Sequence, residues 1–233
     1  MTTRKGGVSG PPWESANMHY RKGDTVDNVM ENRSSVIIKS GFSNKNIWFV
    51  NQVHGNNVIS ADGLSPDETY NIDADGIYST IPKIIVGVYV ADCIPLLLAG
   101  RNVVAAVHCG WRSIVNGIVS NAISKFIENG VNPCEIYAAT GAGIGKCCFE
   151  TGPEVAELFK DSGFGDHIYG GKNPEKSYID LQGIIFKQLK YENICEDKIS
   201  INPECTFCNE EKFFSYRRNG WPGGQMMAII GAD

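Results

Sequence analysis

Histidine is scarce in this chain, with four among 233 residues, and no apolar run approaches the length of a membrane span. The opening "MTTRKGGVSG" also lacks the hydrophobic stretch of a secretory signal, so a cytoplasmic location with no membrane partner is expected. An excess of basic charge is missing too. The formal net charge of -5 argues against a broad nucleic-acid surface, although a small anion pocket would hardly register in that number. Neither the Walker pattern nor the dinucleotide-binding glycine pattern occurs. What the chain does have is eight cysteines, and without an export signal in a chain of this size they read as free thiols rather than staples.

Along the chain, helical and extended patterns alternate, which favours a layered α/β domain spanning residues 1–233 with no internal repeat or linker. The glycine- and proline-rich start reads as a loop. "GDTVDNVMENRSSVIIKSG" reads as a helix capped by Asp24 and ended by Gly41, and "NIWFV" as a short strand leading to His54. The turn-rich, acidic "SADGLSPDETYNIDADG" points to solvent or a site rim. "IIVGVYV", "IPLLLAG" and "VVAAVH" read as strands of one buried sheet. "WRSIVNGIVSNAISKFIENG" gives the clearest helix, with Gly130 as its stop; further helices begin at Pro153 and near Asp180. "EIYAATGAGIG", "KFFSYRR" and "QMMAII" read as extended, which would place Arg217 and Arg218 on opposite strand faces.

His54, Cys93 and His108 each fall at the end of an apolar strand. If those ends converge, two imidazoles and a thiolate make a catalytic-type zinc set with the fourth position left to water or substrate. Their separations match no local zinc motif, so unrelated sheet-end residues and a Cys93 nucleophile activated by histidine, with Asp92 orienting an imidazole, are open alternatives. "CTFC" offers half a structural zinc site, but a convincing second pair is missing and adjacent Cys147 and Cys148 reach poorly for one tetrahedron; ordinary thiols are the expectation there. Cys109, Cys134 and Cys195 read the same way. The "GAGIGKCCFETG" loop could turn backbone N–H groups toward an anion, with Lys146 assisting, and Arg4 or Arg112 could clamp phosphate. His19 and His167 read as exposed or locally hydrogen bonded.

Taken together, "TTRKGGVSGPP", "NQVHG", "DADGIYST", "ADCIPLLL", "VAAVHCGWRS", "GAGIGKCCFETG" and "CTFC" followed by "FFSYRRNG" resemble the YfiH/YlmD-type purine nucleoside phosphorylases, formerly called multicopper polyphenol oxidase or laccase-domain proteins. The resemblance runs from residue 2 almost to the C-terminus. It implies an α/β domain of the cytotoxic-necrotizing-factor/YfiH-like kind, a layered α-β-β-α sandwich with mixed sheets. It implies His54, Cys93 and His108 as zinc ligands, with copper the alternative metal. It further implies phosphorolysis of adenosine, inosine and S-methyl-5'-thioadenosine, with adenosine deamination alongside.

On that basis Arg4, Cys93 and Asp92 are the catalytic candidates, and Arg4, Arg112 and Asp75 the candidates for phosphate and substrate. Purine nucleosides and inorganic phosphate are the expected partners, and a monomer or weak homodimer the expected state. A copper-dependent polyphenol oxidase, a cysteine hydrolase and a non-enzymatic nucleoside-binding protein are the competing functions. Three departures stand out: Cys109 and Ser113 replace the common alanine and glycine, "SANM" and "WPGGQMM" are unusual, and relatives have a further segment ahead of the "TTR" motif. A missing edge strand or a different start site would affect stability without removing the proposed ligands.

Overall fold

Side chains on a strand alternate between its two faces, and in this chain both faces of the central strands are apolar, so each must be covered. The computed structural model describes residues 1–20, 23–42, 46–171, 173, 175–220 and 222–232. Strands β5 (Ile94–Gly100) and β6 (Val103–Cys109) form an antiparallel hairpin at the centre of a six-stranded mixed sheet. β7 (Tyr137–Thr140) and β11 (Ile199–Ser200) extend it on one side, β3 (Gly76–Ser79) and β2 (Val58–Ser60) on the other.

A second sheet of three strands sets β4 (Ile85–Val90) between β1 (Ile47–Trp48), parallel to it, and β12 (Met226–Gly231), antiparallel. The two sheets share a buried layer: Val86, Val88 and Ala228 from the smaller meet Ile77, Val104 and Ala106 from the larger. The opposite face of β5 and β6 carries Leu96, Leu98, Val103, Ala105 and Val107. It is covered by Ile118, Ala122 and Phe126 of α4 (Ile118–Glu128) and by Ile184 and Ile185 of α6 (Leu181–Tyr191).

Beyond the smaller sheet, α1 (Val26–Ser40) brings Val36 onto a cluster of Phe49, Tyr89 and Met227. The layers therefore run α, β, β, α, as the resemblance implies. A short sheet of β8 (Glu150–Thr151), β10 (Ser177–Ile179) and β9 (Ile168–Gly170) sits beside α5 (Pro153–Asp161). No helix among the described residues is long and apolar enough to cross a membrane.

Several local expectations change. The three apolar runs belong to two sheets: between β4 and β5 the chain crosses from one to the other, and Asp92 at φ 93° makes the bend. The long helix is two, α3 (Trp111–Val115) and α4, because Gly117 adopts a left-handed conformation at φ 80°. Thr25 caps α1, its side chain accepting from the Asn28 N–H, while Asp24 sits just outside; Gly41 ends that helix as expected. Asp180 does cap α6. "SYRR" is helical, not extended: α7 (Tyr216–Asn219) is capped by Ser215, which accepts from the Arg218 N–H. The acidic insert holds a capped helical turn, α2 (Pro66–Tyr70), and its last aspartate, Asp75, is fully buried.

Candidate metal centre

The switch between sheets places Cys93 at the mouth of β5, and pairing in the hairpin sets His108 opposite Pro95, two residues along. His54 arrives from the loop after β1. The ligand-capable atoms of His54, Cys93 and His108 all lie within 4.8 Å of one another, with Cys93 Sγ 3.8 Å from His54 Nε2. For tetrahedral zinc with ordinary Zn–S and Zn–N lengths that edge is about 3.6 Å. The two imidazole rings meet edge to face, centroids 4.9 Å apart. Gly110 is needed beside them: a Cβ there would lie 2.8 Å from His54 Cδ2 and 3.3 Å from Cys93 Sγ.

Asp75 organises this arrangement from behind. Its Oδ1 is 2.7 Å from His108 Nδ1, leaving Nε2 as that ring's remaining ligand atom. The same carboxylate accepts from the backbone N–H groups of Val53, His54 and Gly55 at 3.2, 3.0 and 2.6 Å. Those bonds hold His54 at φ 60°, a conformation costly for a residue with a Cβ. Burial alone would raise the Asp75 pKa, but the hydrogen bond and charge of His108 and the two N–H groups of Gly55 and Val53 bring it below the usual carboxylate range.

Burial would likewise raise the Cys93 thiol, yet the charge of His108 and hydrogen bonds from His108 and His54 draw it down to about 6. Burial would lower His108, and the Cys93 charge with the Asp75 contact instead raises it to about 9. A sulfur inclined to the thiolate, an oriented imidazole and a second imidazole fit the donor set of a zinc ion with one open position. Cys109, the next residue after His108, points to the opposite, helix-covered face; burial first, then the charges of Cys93 and Asp75, push its pKa strongly up, so it behaves as a packing thiol.

The trio opens into a cavity of about 670 Å³, within the range of small-molecule sites. Tyr89, Trp111, Phe149 and Phe214 give it aromatic walls, and three guanidiniums, Arg4, Arg112 and Arg217, line it. Arg4 is braced: Nε donates to Glu14 O at 2.9 Å, Nη1 to Glu210 O at 3.0 Å, and its guanidinium lies over the Phe214 ring. Arg112 is exposed and stacks over Trp111, 4.4 Å from the ring centroid. Arg217, which the extended reading of its segment undervalues, is brought to the cavity by α7 and donates to Glu150 O at 2.9 Å. The serine cap followed by Gly220 was the signal in the sequence for that helical turn.

Other candidates fall elsewhere. Asp75 does not line the cavity; it is 0% exposed, and its oxygens meet His108 Nδ1 and the N–H groups of Val53, His54 and Gly55, so its contacts are with the two histidines and the loop that carries His54. Asp92 reaches the wall, where Oδ1 accepts from Thr206 Oγ1 and Oδ2 from the Arg217 N–H, both at 2.6 Å, and these bonds fix the sheet-switch bend.

In the glycine-rich loop the Ile144 N–H donates across to Asp92 O, and those of Cys148 and Phe149 to Gly145 O within the loop. Lys146 lies 3.8 Å from Asp180 and does not line the cavity. His19 joins the cavity wall against Tyr89, ring centroids 4.3 Å apart. Gln52 is a further residue the sequence did not single out; its side-chain amide bonds both the N–H and the carbonyl of Tyr89 and so fixes that wall.

The chain resembles known proteins along its whole length. A family model described as "Multi-copper polyphenol oxidoreductase laccase" matches residues 1–233. A purine nucleoside phosphorylase named YfiH from Escherichia coli (strain K12) is 35% identical over 225 residues, covering 95% of this chain and 88% of the relative. A purine nucleoside phosphorylase from Deinococcus radiodurans is 32% identical over 233 residues, covering 99% and 87%. Among solved structures, a hypothetical protein YfiH from Bacillus licheniformis superposes with a TM-score of 0.92 at 26% identity, covering 99% of this chain and 91% of that one. YlmD from Geobacillus stearothermophilus gives 0.89 at 26% identity, covering 99% and 90%. With the motifs, the layered fold and these matches in agreement, the chain belongs to the YfiH-type, laccase-domain family.

Proposed function

We propose that this chain is a zinc-dependent purine nucleoside phosphorylase that cleaves adenosine, inosine and S-methyl-5'-thioadenosine with phosphate, and that it also deaminates adenosine. The observation that carries the reading is the cavity itself: three guanidiniums and the His54, Cys93 and His108 cluster face one aromatic-walled space of about 670 Å³. That volume accommodates a nucleoside and an anion together. The relatives named as purine nucleoside phosphorylases support the reaction class.

In this reading His54, Cys93 and His108 hold the metal, which when bound supplies Lewis-acid polarisation of an oxygen. The chain's own groups do the rest. Arg4 is held rigidly enough to place a phosphate oxygen, and Arg112 and Arg217 supply further charge-assisted donors for the anion. The aromatic walls pack the flat base and exclude water from the anomeric carbon, so phosphate rather than water attacks as the purine leaves. Asp75 keeps His108 and the His54 backbone in place, and Asp92 keeps the bend that presents Cys93.

The test is turnover of adenosine and inosine by metal-replete protein with and without phosphate, resolving free base, ribose 1-phosphate and deaminated nucleoside. His54→Ala should lose metal and turnover together while remaining folded. Arg112→Ala should raise the phosphate KM by about tenfold or more, the loss of one charge-assisted hydrogen bond.

A second reading is favoured by one specific alignment: Cys93, His108 and Asp75 form the relay of a cysteine hydrolase, with His108 2.7 Å from Asp75 and the thiol drawn down to about 6. It predicts a covalent Cys93 adduct and full activity after chelation, whereas the phosphorylase reading predicts activity lost on chelation and restored by zinc. The copper oxidase reading predicts oxygen uptake with phenols.

A further inference from the structure

Four of the remaining cysteines come in two pairs far apart in the chain, Cys147–Cys148 in the glycine-rich loop and Cys205 with Cys208 in "CTFC". No local pattern gives the second pair a partner, and the fold supplies one. A parallel bridge joins Gly143 to Cys205, and the Thr206 N–H donates to Gly143 O at 2.9 Å, clipping the two loops together. All four sulfurs then lie within 4.8 Å of one another. Cys208 Sγ is 3.6 Å from that of Cys147 and 3.4 Å from that of Cys148, so the adjacent cysteines both reach the same point.

A tetrahedral zinc tetrathiolate with Zn–S bonds of about 2.3 Å has sulfur–sulfur edges of about 3.8 Å, close to these separations. The backbone around Cys205 is arranged for a thiolate as well. The N–H groups of Gly145 and Cys208 both face Cys205 Sγ, the first at 3.1 Å. Gly145 is itself constrained by the cluster, since a Cβ there would lie 3.1 Å from Cys205 Cβ and 3.2 Å from Cys147 Sγ. Cys205 is buried while Cys147 and Cys208 are exposed, which leaves an entry path for an ion.

We propose that Cys147, Cys148, Cys205 and Cys208 form a second metal site, a tetrathiolate centre for a zinc-class divalent cation. Its place in the fold gives it a task. One loop contributes Ile144 and Phe149 to the cavity wall, and the turn after Cys205 presents Thr206 to the Asp92 carboxylate. The Cys148 carbonyl also accepts from Arg217. An ion holding four sulfurs fixes both loops, and with them the bend that carries Cys93.

The test is anaerobic titration of the reduced, chelator-treated full chain with Co2+, following bound equivalents and the thiolate-to-cobalt charge-transfer absorption. Besides any equivalent held by His54, Cys93 and His108, wild type should bind one equivalent with the intense absorption of a tetrathiolate site. Cys208→Ala and Cys147→Ala, both at exposed positions and checked for folding by circular dichroism, should each lose that equivalent and its absorption. His54→Ala should retain both. Unchanged stoichiometry and spectrum in the two cysteine variants would overturn the proposal. So would a disulfide among these four cysteines, mapped in anaerobically handled protein, together with no tetrathiolate spectrum on adding Co2+.

Discussion

Asp75 shows how much one side chain can organise: a single buried carboxylate orients His108 and holds the left-handed backbone at His54 through N–H groups on three successive residues. Asp75→Asn replaces an acceptor by an N–H2 group facing donors it cannot bond, in a site closed to water. We expect it to destabilise the fold by about 2–3 kcal/mol and to weaken metal binding, measured by urea unfolding and by metal content after dialysis.

Asp24 is a simpler case. Burial raises its pKa, but hydrogen bonds from Ser9, Asn28, Asn17 and the Thr25 N–H outweigh that and leave it lowered. A lowered folded-state pKa contributes stability that is present above the unfolded value near 4 and disappears as pH falls through the folded one. Asp24→Asn should therefore lose stability relative to wild type at neutral pH, with the difference shrinking as pH drops below about 4, read from thermal melts across that range. His54, Cys93 and His108 were legible as candidates because each ends an apolar run. Asp75 was legible as an acid in a turn-rich segment and, through the resemblance, as a substrate candidate; nothing local reveals that its partners lie at residues 53–55 and 108.

At the scale of elements, the breaks between them decided what could be read. Helices α1 and α6 announce themselves through caps and stops, whereas the helical pattern from Trp111 to Glu128 hides a division at Gly117. An added Cβ there has nothing within 4 Å, so Gly117→Ala tests conformation alone. The left-handed backbone should cost it about 1–2 kcal/mol, seen as a lower urea midpoint with an unchanged slope.

Ser113, in the first turn of α3, is buried with its Oγ lacking a hydrogen-bond partner among the described residues. Ser113→Ala should raise stability by about 1 kcal/mol, measured as an increase in Tm. The crossing from β4 to β5 was not legible, because a three-residue break between apolar strands looks like a hairpin whether the chain returns to its sheet or leaves it. The cysteine pairing was hidden for a related reason: the bridge from Gly143 to Cys205 is a long-range contact with no local pattern.

For the molecule as a whole, the two facing sheets bring the loop after β1, the crossing after β4 and the end of β6 to one edge, and the cavity forms where loops from both ends of the chain close over it. Arg4 and Arg217 are 213 positions apart in sequence and line the same space. Scarcity of histidine made the site easier to find, and the modest net charge concealed three guanidiniums gathered at one cavity.

The central claim is that these guanidiniums and the His54, Cys93 and His108 cluster serve phosphorolysis. It is tested most directly by incubating metal-replete protein with inosine and measuring hypoxanthine and ribose 1-phosphate with and without inorganic phosphate. The account predicts both products in equal amounts, formed only when phosphate is present. Absence of ribose 1-phosphate, or base release at the same rate without phosphate, would contradict it.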